Sequence, residues 1–347
     1  MVYCLMDTIR IPIPIPNRKE NTMRFRVLTA LILCAMLVSA RGAGAAATDA
    51  PVETAAAASP ETTAAPEAAP AATPGLLSPL VARKLPLLGG GPAFDPANFT
   101  DKMHYEDDSI RVSIETTKAF ESTCFVVKVE IGDASQMRTE TAAQSWKYRR
   151  AMPGDKLSAR VNAVVAINGD YYSYIGGGYM YRGGELYRER PDPLRDILFI
   201  DEAGDFHIVS LATMEAIAPV LEKKIIDSFN FGPGLIINGE KGTNMREYNN
   251  GFDKLRQRVA IGQAGHLTYY LFVTEGRSDG SRGMTMTEFQ EFVSGYPVIN
   301  CYNLDGGNSA HLLVNHERIN AVGFRDVRDI NDIIYFVSTE GYEDAGH

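Results

Sequence analysis

One acid closes an apolar run with two glycines directly behind it. In Asn303-Leu304-Asp305-Gly306-Gly307-Asn308-Ser309, which follows the apolar stretch Tyr296 to Tyr302, the Asp305 carboxylate lies beside unscreened backbone. Glycine has no Cβ and reaches positive φ freely. A Gly-Gly pair therefore lets the chain turn sharply and lets a small polar ligand approach peptide groups and an acid together. The same residues also suit an ordinary tight turn between strands, where Asp and Gly are common. What favours chemistry is repetition: apolar β-type runs end in comparable clusters at Asn168-Gly169-Asp170-Tyr171-Tyr172, Phe231-Gly232-Pro233-Gly234 and Glu275-Gly276-Arg277, and Arg258 heads the run Val259-Ala260-Ile261-Gly262.

Taken in order, these segments resemble the phosphodiester glycosidase family over most of residues 160 to 337. The strongest piece is Asn303 to Ser309 followed by the apolar Leu312 to Val314. Val164 to Gly169, the Arg258 run, and Glu275-Gly276-Arg277 leading to Arg282-Gly283-Met284-Thr285 support it. Three positions depart from the usual family pattern: Asp170 with Tyr171 and Tyr172, Glu275 where Asp is usual, and Asn308 where a third Gly is common.

The resemblance implies a hydrolase that cleaves a sugar 1-phosphodiester at the sugar carbon, through an oxocarbenium-like state that carboxylates stabilise. Asp305 is then the carboxylate facing the anomeric carbon, as nucleophile or as base for water, with Glu275 or Asp170 as its partner acid. A phosphodiester is already a good leaving group and needs its charge neutralised, which assigns Arg258 and Arg277 to the phosphate. Asn168 and Asn308 suit sugar hydroxyls, Gly169, Gly306 and Gly307 give open backbone, and Tyr171 with Tyr172 offers a platform under a sugar ring. Gly176-Gly177-Gly178 reads as a loop able to close over the substrate.

The chain has 347 residues, 45% hydrophobic and 22% charged, enough to bury a full core. Its formal charge of −9 disfavours a nucleic-acid partner, whose binding rests on clustered Lys and Arg. From Met23, a basic start, the apolar stretch Val27 to Ala40 and Ala43-Gly44-Ala45 read as a secretory signal; Met23 is the expected start. The apolar stretch is short beside the roughly twenty residues of a bilayer span, so export to the periplasm, cell surface or medium is expected, with a membrane tether through an uncleaved signal as the alternative. Residues 46 to 99, rich in Ala, Pro and Thr in their first part, read as a disordered linker, and 100 to 340 as the catalytic domain.

Strands are expected over Ile110 to Glu115, Cys124 to Ile131, Val161 to Ile167, Ile197 to Ile200, Phe206 to Val209, Leu235 to Asn238, Val259 to Gly262, Leu267 to Thr274, Val298 to Leu304, Ala310 to Val314 and Ile333 to Val337. Helical segments are expected from Asp155 to Arg160, over Met214 to Ile226, and over Thr287 to Ser294 with Thr287 as cap. Many strands joined by short turns with few helices predict an α+β fold: a mixed, largely antiparallel sheet with helices packed against it.

Cys124 and Cys301 lie in apolar runs and read as buried free thiols, although export permits a disulfide. No cofactor is required by the sequence. Asp and Asn oxygens near Asp305 suit a calcium or magnesium ion, but no spacing demands one. Gly276-Arg277-Ser278-Asp279-Gly280 matches the nucleophile elbow of serine esterases, with Asp305 and His311 in the order those enzymes use; the elbow needs a helix directly after the serine, and Gly280-Ser281-Arg282-Gly283 intervene. Two further readings stand beside the glycosidase: a glycan-binding module that keeps the pocket without the chemistry, and a metal-dependent phosphodiesterase.

Overall fold

The computed structural model describes residues 78–245, 251–321, 323–324 and 326–343, all within the compact unit Ala72–His347. The expected signal, its start at Met23 and the linker up to residue 77 lie outside the described residues. Residues 78–99, expected to be linker, instead run along the domain. Leu85 is buried, the Val81 N–H donates to the Asp108 carbonyl (2.7 Å), and the Gly91 N–H donates to that of Val161 (2.9 Å).

Two antiparallel sheets carry the architecture. The larger has nine strands in the order Phe99–Asp101, His104–Glu106, Ile110–Ala119, Ser122–Ile131, Thr268–Thr274, Val259–Gly265, Asn300–Asn303, Gly234–Ile237 and Glu240–Lys241. The smaller has five, ordered Glu317–Arg318, Leu312–Val314, Val165–Asn168, Asp332–Phe336 and Met137–Thr141. They share one core layer in which Val127, Val259, Ile261 and Leu271 of the large sheet meet Ile167, Leu312, Ile334 and Phe336 of the small one. Full burial of each such side chain stabilises by roughly 1.5–3 kcal/mol, so this layer fixes the sheets against one another.

Side-chain alternation sends neighbouring residues to opposite faces. Ala260, Phe272 and Cys301 therefore leave the shared layer and pack on Met286, Phe289 and Val293 of the helix Met286–Ser294. The outer face of the small sheet is covered in the same way: Leu157, on the helix Gly154–Arg160, packs with Ala166, Leu313 and Tyr335. A three-stranded sheet, Phe206–Val209, Ile197–Asp201 and Ile225–Phe229, forms a satellite core with Tyr179 and with Ile217 of the helix Met214–Leu221. The α+β reading holds. Cys124 and Cys301 are buried and free.

Some elements differ from expectation for local reasons. The last helix begins at Met286, with its cap two residues earlier than expected, because Thr285, not Thr287, has a glutamate three positions on: the Glu288 N–H donates to Thr285 Oγ1 (3.2 Å) and Glu288 accepts the Thr285 N–H (2.9 Å), a reciprocal capping box. The helix expected over Met214 to Ile226 stops at Leu221, and Ile225–Phe229 forms a strand on Ile197–Asp201. Met137–Thr141 and the hairpin Gly178–Arg182 with Glu185–Arg190 escape the apolar pattern because they interleave charged residues with apolar ones.

Candidate active site

Strand pairing builds the site. Asn168 ends one strand of the small sheet opposite Ile333 of its neighbour, so Gly169 and Asp332 meet where the two strands separate, and the Gly169 N–H donates to the Asp332 carbonyl (2.9 Å). A Cβ at position 169 would stand 2.0 Å from Asp332 Oδ2, which is why glycine is required there. From the large sheet, Asn300–Asn303 delivers Leu304, whose N–H donates to the Val259 carbonyl (2.8 Å), and then Asp305. Gly306 passes so close to the neighbouring chain that a Cβ would lie 2.5 Å from the Gln257 carbonyl oxygen.

Asn168 joins the two sheets here. Its Nδ2 donates to the Asp305 carbonyl (2.7 Å), and its Oδ1 accepts the His311 N–H (3.0 Å). It therefore positions the Asp305 turn. The cleft is lined by Asn168, Gly169, Tyr171, Asp305, Ser309, Ile330, Asn331 and Asp332 and encloses about 10 Å³, room for about one water molecule. Beside it Tyr171 stacks on Tyr174 with ring centroids 4.2 Å apart.

Three carboxyl groups converge. Burial raises the Asp305 carboxyl to about 6, against the lowering effects of the Ser309 hydroxyl, the Arg328 charge and the Gly306 N–H; the Asp170 charge adds to the rise. Asp332 is driven higher, first by burial and then by the charge of Asp170, so it holds its proton where an ordinary carboxyl is ionised. Its Oδ2 has no hydrogen-bond partner. Asp170 is fully buried, pairs with Arg182 Nη2 (3.1 Å) through Oδ1, and accepts the Asn230 N–H (2.8 Å) through Oδ2.

Arg182 lies 3.8 Å from Asp332 as well and is sandwiched by the rings of Trp146 (4.9 Å) and Phe229 (4.5 Å). One guanidinium thus compensates two acids in a site closed by aromatic faces. Neither Arg182 nor Asp332 stood out in the sequence. Asp332 follows Asn331 in the pattern that ends other strands, a signal obscured because it begins its strand.

Arg258 does not reach this cluster. Strand alternation turns it to the helix-backed face, where Nε donates to Met284 O (2.9 Å) and Nη2 to Gly251 O and Lys254 O (2.8 Å each). Burial lowers it to about 10, and its role is to tie a loop to the sheet. Glu275 is likewise engaged elsewhere: Oε1 accepts the Ala321 N–H (2.7 Å) and Oε2 faces the Ser281 hydroxyl (3.4 Å). Arg277 and Asn308 brace the glycine turn, Arg277 Nη2 donating to Asn308 Oδ1 (2.8 Å) and to Gln257 Oε1 (3.0 Å), while the Gly307 N–H donates to Gln257 O (2.9 Å).

Among the described residues Arg328 is an exposed cation beside this cluster: its Nη1 approaches Ser309 Oγ (3.4 Å) and its charge acts on both Asp305 and Tyr171. Tyr172 is buried, with its hydroxyl donating to Tyr148 O (2.7 Å) and 2.8 Å from Thr141 Oγ1, and makes no platform. Ser278 and Ser281 close a two-bonded turn with no helix behind it, so no nucleophile elbow forms. His311 is buried, its Nδ1 2.9 Å from Ser309 O. Among the described residues no group of three or more His, Cys, Asp or Glu is disposed to hold a metal ion.

Two antiparallel sheets gather acids at their strand ends, and the lineage of this domain can be stated. The phosphodiester glycosidase family model matches residues 161–337, and the chain belongs to that family. Among solved structures it is similar to the zebrafish N-acetylglucosamine-1-phosphodiester alpha-N-acetylglucosaminidase catalytic domain, auto-inhibited by its pro-peptide, with 18% identity over 66% of this chain and 83% of that one and a TM-score of 0.53. It is more distantly similar to a hypothetical protein from Synechocystis (15% identity, 67% of this chain and 63% of that one, TM-score 0.45) and to a putative exported protein from Burkholderia pseudomallei (13% identity, 62% and 74%, TM-score 0.43). No curated protein matches.

Proposed function

We propose that the protein is an exported hydrolase that releases a sugar from a sugar 1-phosphodiester carried on a glycan or surface polymer. The observation that carries this reading is the pair Asp305 and Asp332, two carboxyl groups in one cleft whose environments push their proton affinities apart. Asp305, ionised above about pH 6, faces the anomeric carbon as nucleophile or as base for water. Asp332 retains a proton that it can pass to the departing phosphate oxygen. Arg182 beside it stabilises the carboxylate left behind. Arg328, at the mouth, neutralises the phosphodiester, the role that the sequence had suggested for Arg258. The Tyr171–Tyr174 stack gives the sugar an apolar face to rest on. Export follows from the signal read at Met23.

Asp305→Asn tests the assignment, because the amide keeps the shape and loses the charge. Sugar release from a sugar 1-phosphodiester is expected to fall by about 10⁴-fold with the melting transition retained. Turnover near the parent rate would end the assignment, and a sugar phosphate as product would put the cut at phosphorus instead.

A further inference from the structure

A second concavity begins where the cleft ends. Tyr171 lines the cleft, and the next residues, Tyr172 and Ser173, line a groove of about 490 Å³ walled by residues 146–149, the segment 172–176 and the hairpin strand Glu185–Arg190. Its charged residues are Lys147, Arg149, Arg188 and Arg190 against Glu189 alone, on a chain whose net charge is −9. Among the described residues none of the four cations pairs with a carboxylate. Lys147 instead lies over the Tyr187 ring (6.0 Å) and Arg149 over the Tyr174 ring (5.6 Å).

Arg188 lines the groove; its Nη1 donates to Ile175 O (2.7 Å) and Tyr172 O (3.2 Å), while its Nε and Nη2 atoms are buried and have no partner. The Ser173 hydroxyl, 7% exposed, has none either. Leaving buried donors unsatisfied is costly unless something completes them. Two adjacent guanidinium N–H groups form a fork that fits the two oxygens of an oxyanion, and the hydroxyl supplies a further donor.

We propose that this groove is an anion subsite that holds a second acidic group of the aglycone, one unit beyond the scissile phosphodiester, so that the preferred substrate is a polyanionic glycan. The proposal rests on the glycosidase reading for the word aglycone, and on the groove alone for the anion. Arg188 anchors the oxyanion, Ser173 completes it, and Lys147 and Arg149 attract the chain from solution. The Tyr174 ring, shared between the Arg149 contact and the Tyr171 stack, links groove and cleft.

Binding is measured by calorimetry on the Asp305→Asn protein, which cannot consume a ligand, using inorganic tripolyphosphate and tri-galacturonate as phosphate and carboxylate probes. At least one is expected to bind, more weakly as salt rises, and the stronger binder names the acidic group. Lys147→Gln with Arg149→Gln, both at exposed positions, is expected to weaken that binding by about tenfold, and Arg188→Lys, which keeps the charge and loses the fork, by a similar factor. In turnover by the otherwise unaltered enzyme, the same variants should raise KM about tenfold for a diester whose aglycone bears a second phosphate and leave a diester with a neutral alkyl aglycone unchanged. Absence of binding by both probes, or equal losses on the two diesters, overturns the subsite. Binding that depends on Arg188 in a protein that hydrolyses neither diester would retain the subsite and discard the glycosidase reading.

Discussion

Two buried arginines, Arg258 and Arg182, show how partners rather than burial decide a role. The Arg258 guanidinium, at the head of a large-sheet strand, donates to main-chain carbonyls of Gly251, Phe252, Lys254 and Met284, so its charge tethers a loop. Arg182, at the end of a hairpin strand, faces the Asp170 carboxylate and the Asp332 carboxyl group between two aromatic rings. It also donates through Nη1 to the Ser228 carbonyl. Both side chains leave solvent. Among the described residues only the second is in ion-pair contact with acids, and carboxyl groups, unlike main-chain carbonyls, can change protonation during a reaction.

The comparison breaks most visibly in stability. Arg182→Met strands the Asp170 carboxylate without its partner and is expected to cost about 3–5 kcal/mol in denaturant unfolding, with activity lost alongside. Arg258→Met leaves neutral carbonyls unsatisfied and should cost a smaller amount, about 1–3 kcal/mol, while kcat measured at low temperature stays within a few-fold of the parent. Equal losses of kcat in the two variants would erase the distinction drawn between them.

The pH profile sharpens the same contrast. Activity should rise as Asp305 ionises through about 6 and decline at higher pH as Asp332 loses its proton. Asp332→Asn removes the alkaline limb together with about 10²-fold to 10⁴-fold of kcat. Stability follows from the same groups. Both carboxyls are raised in the folded state, so the folded protein binds more protons than the unfolded chain; their contribution is present in full below the ordinary carboxyl value of 3.8 and is lost as pH rises through about 6 for Asp305 and higher for Asp332. Urea midpoints taken across that range should show a shallower decline in Asp332→Asn than in the parent. The smallest effect lies far from either arginine: Thr285→Ala removes one half of the capping box and should cost about 1 kcal/mol without touching kcat.

Much of the fold was legible because burial is periodic. The strands at Ile110 to Glu115, Cys124 to Ile131, Val259 to Gly262 and Leu267 to Thr274 could be read because β-branched and aromatic residues recur on the faces that meet the core; the structure pairs them as two hairpins. Residues with mixed charge were harder. Arg188 and Arg190 flank Glu189 in a charged run with no apolar period, yet they belong to a strand whose register with Gly178–Arg182 places Arg182 within reach of the acids. The expected linker failed at residues 78–99 because a few anchors, Leu85 among them, suffice to hold an otherwise polar stretch against the domain.

The chain of residues alone determined that Asp305 would stand on an open glycine turn at a strand end, since both the apolar run and the two glycines are local facts. It also determined the α+β class, through the balance of apolar periods. Only the tertiary structure decided which acid shares a cleft with Asp305: pairing of Val165–Asn168 with Asp332–Phe336 brings Asp332 against Gly169 from far along the chain, while Glu275 and Arg258 are engaged elsewhere. The reason is physical. A side chain's charge state and reach depend on what the fold removes from water around it, and contacts between distant strands carry no mark in the residues that make them.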